Sequence, residues 1–456
     1  MTKLYPYKGL EPCAVSKVAK PGNTRLDLLS SSFQFFNMPN IVVGRSEEDK
    51  EEHGLEGTGV IGKHLVGEDE EAHTANPLHF DVAKPHVVGV FGKRGTGKSY
   101  SMGTLVEECQ QSDVSENIST IMIDPMGIFW SMKRPNERDV SMLDKWDMKP
   151  EAFDAQVYIP KGKTRDFDEK EMPYDDTFTL NPAQLTSEEW RMAFGLDSNT
   201  EMSILLERMC EDLTDEFGDE YRIKHMKKAL GEYEFPEKTK RGLENRLRNA
   251  EDWGVFGEES SIDKLTEAGE LSIVDVSVFG QLSGGTRVQA LVVAILAKRI
   301  LMRRMAARRL EELDEMQGLD RADEPIQWML IDEAHEYLPA EGETPATNPL
   351  LRWVKIGREP GVSLVLCTQQ PAKLHPNALS QMDLLLAHRL TAQQDIDALQ
   401  EIMQTYMRYD LRHYIDALPD RPGTAMIMDD NSERAYPAQM RPRKSWHAGG
   451  TPDAFD

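Results

Sequence analysis

The fold of this chain is restricted above all by a phosphate-binding loop at residues 92–99, which read Gly-Lys-Arg-Gly-Thr-Gly-Lys-Ser. An apolar segment, His-Val-Val-Gly-Val at residues 87–91, precedes the loop. The pattern Gly-x-x-x-x-Gly-Lys-Ser needs a strand, a glycine-rich turn and a helix in that order, because backbone N–H groups must surround the phosphate oxygens at a helix N-terminus. The sequence therefore predicts a nucleoside triphosphate site between a strand and a helix.

The residue types of this loop predict how the nucleotide is held. Lys98 is expected to reach the β- and γ-phosphates, which makes it a predicted catalytic residue as well, and Ser99 is expected to hold Mg²⁺. The positive end of the following helix favours the anion. We predict ATP and Mg²⁺ as cofactors, with the nucleotide bound by nine consecutive residues: Gly92, Lys93, Arg94, Gly95, Thr96, Gly97, Lys98, Ser99 and Tyr100.

Charge and hydropathy restrict which partners the chain can bind and in which compartment it is expected. The formal net charge of −25 argues against nucleic-acid binding, since phosphate contacts need positive surface. The alternative is a protein of a high-salt cytoplasm whose DNA contacts are confined to a channel. No apolar run approaches the ~18 residues of a membrane span, and the N-terminus lacks an apolar signal core, which predicts a cytoplasmic protein with no membrane contact. Four widely spaced cysteines favour reduced thiols over a zinc site or a disulfide framework.

Strand-like and helix-like patterns alternate along most of the chain. This alternation predicts an α/β fold with a mainly parallel sheet and helices on both faces. We predict five segments: an N-terminal region with a small β unit (1–84), the first part of the α/β core (85–183), a helical insertion (184–268), the second part of the core (269–429) and a surface tail rich in proline and charge (430–456).

An apolar strand that ends in two acids supplies the second half of an ATP site. Residues 328–333 read Trp-Met-Leu-Ile-Asp-Glu. We expect Asp332 to support the Mg²⁺ ion and Glu333 to activate the attacking water. The occurrence of this strand and a phosphate loop in one α/β pattern favours a nucleotide hydrolase over a chance match.

Two further polar residues are predicted to take part in hydrolysis. Gln369 follows the buried-looking strand at residues 362–367 and is the candidate sensor of the γ-phosphate. Arg358, on the loop Gly-Arg-Glu-Pro-Gly before that strand, is the candidate finger that reaches a nucleotide in a neighbouring subunit. The alternative for Arg358 is a surface residue at a helix C-terminus. Arg389 is a second, weaker candidate for the finger.

These motifs, in this order, resemble the HerA–FtsK class of ring-forming P-loop ATPases and most of all the HerA-type DNA translocases. The resemblance covers roughly residues 85–450 and departs from the family pattern at Ile128 and Gln370, where an acid and an arginine are frequent. The residues that carry it are 92–99, Ile123-Asp124-Pro125-x-Gly127, Leu330-Ile331-Asp332-Glu333, Gly357-Arg358-x-x-Gly361, Thr368-Gln369-x-Pro371, Ser380-Gln381-Met382-Asp383, Ala387-His388-Arg389-Leu390 and the stretch that begins at Arg441-Pro442-Arg443.

The resemblance implies a RecA-like (ASCE) P-loop fold with a small N-terminal β-barrel. It also implies a hexameric ring that hydrolyses ATP between subunits and pulls duplex DNA through its centre. Homo-oligomerisation and DNA are thus expected, and a nuclease or effector subunit is a candidate partner.

Two other classes of function stay open at the sequence level. Residues 282–285, Leu-Ser-Gly-Gly, are similar to the signature loop of ABC-type ATPases, so an ATP-gated clamp of ABC or SMC type is one alternative. A nucleotide-dependent scaffold for an effector is the other. Against the clamp, Glu333 is followed by Ala334-His335 and not by the proline usual in ABC proteins.

Two basic segments are candidates for DNA contact. The run from Lys298 to Arg309 spreads around most of a helix, which favours a solvated, ion-paired helix over a DNA-binding face. The segment from Phe129 to Arg138 mixes aromatic and basic residues after a strand, as pore loops do, and packing of its aromatic side chains under the loop is the equal alternative.

Overall fold

The computed structural model describes residues 40–67, 71–257, 262–282, 284–319, 324–402 and 411–450. The first 39 residues, including Cys13, and the last six lie outside this part of the chain. The other three cysteines, Cys109, Cys210 and Cys367, are buried free thiols. Among the described residues, no helix is long and apolar enough to cross a membrane.

The described residues form one sheet of 13 strands in the order β1-β3-β2-β13-β12-β11-β4-β10-β9-β5-β8-β6-β7. The eight strands from β11 to β7 pair in parallel. The strands are β1 Ile41–Val43, β2 Thr58–Val66, β3 His73–Asp81, β4 Val87–Phe91, β5 Ile118–Asp124, β6 Ala155–Pro160, β7 Asp176–Phe178, β8 Leu271–Asp275, β9 Ile326–Ile331, β10 Val362–Thr368, β11 Leu384–His388, β12 Thr424–Asp429 and β13 Arg434–Met440.

Helices cover both faces of the parallel part of the sheet. Every residue of β5 and β10 is buried, as expected for central strands packed on both sides. The helices are α1 Glu47–His53, α2 Lys98–Gln111, α3 Val140–Asp144, α4 Thr164–Asp168, α5 Ser187–Ala193, α6 Glu201–Phe217, α7 Ile223–Ala229, α8 Glu237–Asp252, α9 Gly285–Gln317, α10 Thr347–Ile356, α11 Pro376–Leu379, α12 Gln393–Ile402 and α13 Leu411–Asp416. The predicted α/β fold with a mainly parallel sheet is confirmed.

The three N-terminal strands continue the same sheet. β2 pairs with β13 through Gly62, Lys63 and His64, and β3 and β1 follow β2 in the strand order. A small β unit was predicted here, and one of its strands, β2, is hydrogen-bonded directly to β13 of the core. The boundaries predicted for the five segments of the chain stay predictions.

The predicted helical insertion contains α5 to α8. α5 begins with a capping box, in which the Thr186 hydroxyl accepts from the Glu189 backbone and the Glu189 carboxylate accepts from the Thr186 backbone. Charged residues of alternating sign cover the outer faces, and the inner faces bury side chains such as Trp190, Leu206 and Leu243 in one core with α9. The insertion therefore packs as part of the main body.

The long helix α9 has 33 residues and carries the basic run. It ends where Gly318 adopts a left-handed conformation, φ 65°. The prediction of an ion-paired, solvated face holds for Arg308, whose side chain is 40% exposed beside Glu311 and Glu312. It is wrong for Arg304, which is buried and bonded to Glu311 at 2.8 Å. Lys298, Arg299 and Arg303 pair with Glu189, Asp263 and Glu324.

The predicted surface tail is wrong for the part that the structure describes. β13 forms inside the sheet, and the side chains of Arg441, Arg443 and Ser445 are fully buried. The cause is Glu107 on α2, which is also fully buried and accepts from Arg441 at 2.7 Å and from the Ser445 hydroxyl at 2.6 Å. Burial by itself raises the pKa of the Glu107 carboxyl, but Arg441 and Arg443 outweigh burial and lower that pKa.

We predict that Glu107→Gln lowers the free energy of unfolding by about 3–5 kcal/mol, because two arginines then stay buried with their main anionic partner gone. Chemical denaturation of the purified protein measures this loss. Glu47→Gln is the control, since the Glu47 carboxylate pairs with Lys50 on the surface and is 74% exposed. Equal stability of the two variants would contradict the role given to Glu107.

Candidate nucleotide site

The phosphate loop leaves β4 at the C-terminal edge of the parallel sheet and enters α2 at Lys98. Gly97 caps the helix in a left-handed conformation, φ 109°, that residues with side chains rarely adopt. The Lys98 ammonium donates to the Lys93 carbonyl at 3.2 Å, and the Lys93 N–H donates to the Arg389 carbonyl at 3.0 Å. The loop is thus closed on itself and attached to the end of β11, and Lys98 lies inside it.

The two predicted magnesium ligands meet at the N-terminus of α2. Asp332 follows β9, is only 3% exposed, and accepts a hydrogen bond of 3.0 Å from the Ser99 hydroxyl. They meet because β4 pairs in parallel with β10 and β10 with β9, so the C-terminal ends of the three strands share one edge. A hydroxyl and a carboxylate oxygen are the ligand types that Mg²⁺ prefers.

The predicted catalytic base and the predicted sensor are hydrogen-bonded to each other. The Gln369 side-chain nitrogen donates to Glu333 Oε1 at 2.7 Å. Glu333 itself has a left-handed backbone, φ 49°, which is uncommon for a residue with a side chain and often marks a functional position. Its other oxygen, Oε2, is buried and has no hydrogen-bond partner among the described residues. One carboxylate oxygen is therefore held by Gln369, and the other makes no hydrogen bond within the described part of the chain.

Arg358 lies apart from the other predicted catalytic residues. It follows α10 and precedes β10, so the length of β10, roughly 20 Å at ~3.3 Å per residue, separates it from Gln369. Its side chain is exposed. The turn that carries it is fixed by Arg304, whose buried guanidinium donates to the Pro360 carbonyl at 2.7 Å and to the Glu324 carbonyl at 2.6 Å. The second finger candidate, Arg389, pairs with Asp420.

Two histidines beside the site received no role from sequence reasoning. His388, at the end of β11, is fully buried between the Ser101 hydroxyl at 3.0 Å and the Thr424 carbonyl at 2.8 Å. Burial lowers its pKa to about 4, so the ring is neutral and links α2 to β12. His335 is bonded to the Thr368 hydroxyl at 2.8 Å and lies 3.6 Å from Glu333 Oε2. The signals in the sequence were their positions at or after the ends of apolar strands and, for His388, its place in one of the segments that carry the family resemblance.

Asp124, part of the motif after β5, acts as a buried turn former. Its carboxylate accepts from the backbone N–H groups of Met126, Gly127 and Phe129 at 2.7–3.1 Å. Burial, together with the neighbouring carboxyl of Asp275, raises the pKa of the Asp124 carboxyl above its usual range. The loop after β5 therefore takes its shape from this side chain.

The basic and aromatic loop after β5 is mostly packed into the protein. Phe129 and Met132 are fully buried, Lys133 is paired with Asp175, and the Arg138 guanidinium lies over the Trp446 ring at 4.6 Å. These contacts favour the packing interpretation over a pore loop. The basic run on α9 is likewise engaged in ion pairs.

The phosphate loop lines a cavity of about 740 Å³. This volume is within the ~300–1,000 Å³ of ligand pockets. Lys98, Ser99, Asp332, Glu333 and Gln369 line one part of it. The segment after β13 lines another part with Arg441, Pro442, His447, Gly449 and Gly450. Sequence reasoning missed this second part, because the segment was predicted to be a surface tail.

Comparison with known proteins gives one family and a consistent fold. The family described as the central domain of helicase HerA matches residues 60–303. The DNA double-strand break repair helicase HerA of Pyrococcus furiosus is 23% identical over 332 residues, which is 68% of this chain and 57% of that protein's length. The chain thus spans little more than half of that relative.

Two solved structures share the fold at low sequence identity. VirB4 of Thermoanaerobacter pseudethanolicus has a TM-score of 0.54 at 17% identity, with 84% of this chain and 97% of that chain covered. The plasmid coupling protein TrwB, in complex with ADP and Mg²⁺, has a TM-score of 0.50 at 12% identity, with 86% and 96% covered. Since the HerA central domain matches more than half of its residues, this chain belongs to the HerA family of P-loop ATPases.

Proposed function

We propose that this chain is the subunit of a hexameric ring that hydrolyses ATP with Mg²⁺ and moves duplex DNA through its centre. The observation that carries the proposal is the pair of contacts at the sheet edge, Ser99 with Asp332 and Gln369 with Glu333. A protein that only bound nucleotide would not need the second pair. The proposal includes a cytoplasmic location and a nuclease or effector subunit as a candidate partner.

The residues of the site divide the chemistry between them. Mg²⁺, when bound, neutralises charge on the phosphate oxygens. Ser99 and Asp332 would hold it, and Lys98 would contact the β- and γ-phosphates. Glu333 accepts the proton of the attacking water at Oε2, the oxygen without a partner, while Gln369 keeps the carboxylate oriented through Oε1.

The separation of Arg358 from this site supports action between subunits. An exposed arginine at the opposite edge of the sheet lies too far from its own Lys98 to contact the same nucleotide, but a neighbouring subunit in a ring can receive it. The similarity to the Pyrococcus protein, a DNA double-strand break repair helicase, supports DNA as the substrate. The family match favours this motor over an ABC-type clamp.

We expect Glu333→Gln to reduce ATP turnover by about 10²–10⁴-fold, the range for loss of a general base, while ATP binding persists. Turnover and equilibrium ATP binding, measured on the same preparation, test this. Glu336→Gln is the matched control, because that acid is three residues along the chain and its side chain is 50% exposed. Normal turnover in Glu333→Gln would remove Glu333 from the role of base.

Arg358→Ala is expected to lower turnover by about 10³-fold or more if the arginine completes a neighbour's site. The decisive experiment mixes Arg358→Ala with Lys98→Ala subunits. Each variant alone is inactive, but a Lys98→Ala subunit can lend its intact arginine to the intact phosphate loop of its neighbour, so the mixture regains turnover. Arg352→Ala, an exposed arginine on α10, serves as control. A mixture as inactive as its components would mean that Arg358 does not act in trans.

Stoichiometry and DNA response test the motor as a whole. Electron microscopy with ATP and duplex DNA is expected to give six-fold rings with DNA in the channel, and duplex DNA is expected to stimulate turnover. An ATP-dependent dimer would favour the clamp. Rings whose ATP turnover is the same with and without duplex DNA would favour a scaffold.

A further inference from the structure

The cavity at the phosphate loop is larger than the phosphates need. Beyond Lys98 and Ser99 it continues to a wall formed by the residues around the start of β12 and the end of β13. We name this the β12–β13 wall, and its members are Pro422, Gly423, Gln439, Met440 and Pro442.

The strand order decides which end of a nucleotide meets this wall. Glu333 follows β9, on one side of β4, and the wall belongs to β12 and β13, on the other side of β4. In the proposed function Glu333 faces the γ-phosphate. The opposite end of the molecule, the nucleoside, is therefore directed toward the β12–β13 wall.

The phosphate loop and the wall approach each other through glycines. Gly97, the last glycine of the loop, faces Gly423, and a Cβ on Gly97 would lie 3.7 Å from the Gly423 backbone. Gly423 has a φ of 80°, and a Cβ there would lie 2.9 Å from the Gln439 side-chain nitrogen. Glycine at both positions lets the backbones of the loop and the wall come close together at the side of the cavity that both of them line.

The polar group of the wall is the Gln439 carboxamide. Its nitrogen donates to the Pro422 carbonyl at 3.0 Å, which fixes the assignment of nitrogen and oxygen. Its oxygen, Oε1, is buried and has no hydrogen-bond partner among the described residues. An unpaired buried acceptor is unfavourable until a donor arrives. The terminal torsion of glutamine is soft, so the carboxamide can give up its bond to Pro422 and turn this oxygen toward the cavity that Gln439 lines.

The wall is fixed to the phosphate-binding helix. Arg441 lies next to the wall and its side chain is fully buried. Its guanidinium donates to the Glu107 carboxylate of α2 at 2.7 Å and to the Val60 carbonyl at 2.9 Å. α2 begins at Lys98. The phosphate site and the wall are therefore parts of one rigid unit, which lowers the cost of ordering them when a ligand binds.

We propose that Gln439 recognises the nucleoside of the bound nucleotide by accepting a hydrogen bond from it. The donor is a polar N–H or O–H of the nucleoside, either the base amino group or a ribose hydroxyl. The apolar Pro422, Met440 and Pro442 form the surface around this contact. This assignment rests on the proposed ATP site and extends it from the phosphates to the nucleoside.

Dissociation constants of ATP and of inorganic tripolyphosphate, both with Mg²⁺, test the assignment in the full-length chain. For Gln439→Leu we expect about tenfold weaker binding of ATP, the loss of one hydrogen bond, and unchanged binding of tripolyphosphate. Gln439→Met is the second variant if the first is poorly folded. Loss of ATP and tripolyphosphate binding in equal measure, or of neither, would overturn the assignment.

Analogues identify the donor. If the base amino group is read, inosine triphosphate binds the wild-type chain weakly and is not weakened further by Gln439→Leu. If a ribose hydroxyl is read, 2′-deoxy- or 3′-deoxy-ATP behaves in this way instead. Equal tenfold weakening of all three analogues by the substitution would overturn a direct contact.

Two controls separate this inference from the proposed function. Arg434→Ala, an exposed residue at the other end of β13, is expected to leave both dissociation constants unchanged. Lys98→Ala is expected to weaken ATP and tripolyphosphate together. If Lys98→Ala weakens neither ligand, the phosphate loop itself is misassigned, whatever Gln439 does.

Discussion

The parallel pairing of β4 with β10 and of β10 with β9 is the constraint on which the site depends. These pairings bring the C-terminal ends of three strands to one edge, although the residues concerned lie far apart in the chain. The Ser99–Asp332 contact and the Gln369–Glu333 contact both follow from that register. A shift of one residue in the pairing of β9 with β10 would turn the side chains of β9 to the opposite face of the sheet and separate both pairs.

The same register explains why Arg358 lies apart from the other candidate site residues. A residue before a parallel strand lies at the edge opposite to a residue after it, so Arg358 and Gln369, at the two ends of β10, occupy opposite edges. A buried arginine, Arg304, holds the turn in front of β10 through carbonyl groups, which lets Arg358 stay exposed without making the turn loose. An exposed cation on a fixed turn suits contact with a second subunit, where side-chain ordering is a large part of the cost of association.

The local parts of the site could be predicted from the sequence, and the long-range parts could not. The phosphate loop, the acids after β9 and Gln369 after β10 each have their own signal, an apolar strand followed by polar residues. The burial of residues 441–445 has none, because it depends on Glu107, 334 residues before Arg441. A segment rich in proline and charge is typical of a surface tail, and only the position of α2 over the sheet turns two of its arginines inward. The burial of Arg304 was missed for the same reason, since two of its partners, besides Glu311 on the same helix, are carbonyl groups of distant turns.

The buried arginines also bear on where in the molecule the net negative charge lies. Arg45, Arg304, Arg441 and Arg443 are each less than 5% exposed, and Arg45 is paired with Asp81 as the last two are with Glu107. Basic residues of α9 are engaged by carboxylates in the same way. Because these cations are matched by carboxylates, the excess negative charge of a chain of net charge −25 is carried by its other residues, and the outer surface repels DNA. Because salt limits that repulsion to about 8 Å at physiological strength, it acts mainly near the surface. In the proposed ring, DNA is then disfavoured along the outside, and binding depends on the short-range contacts that the channel supplies.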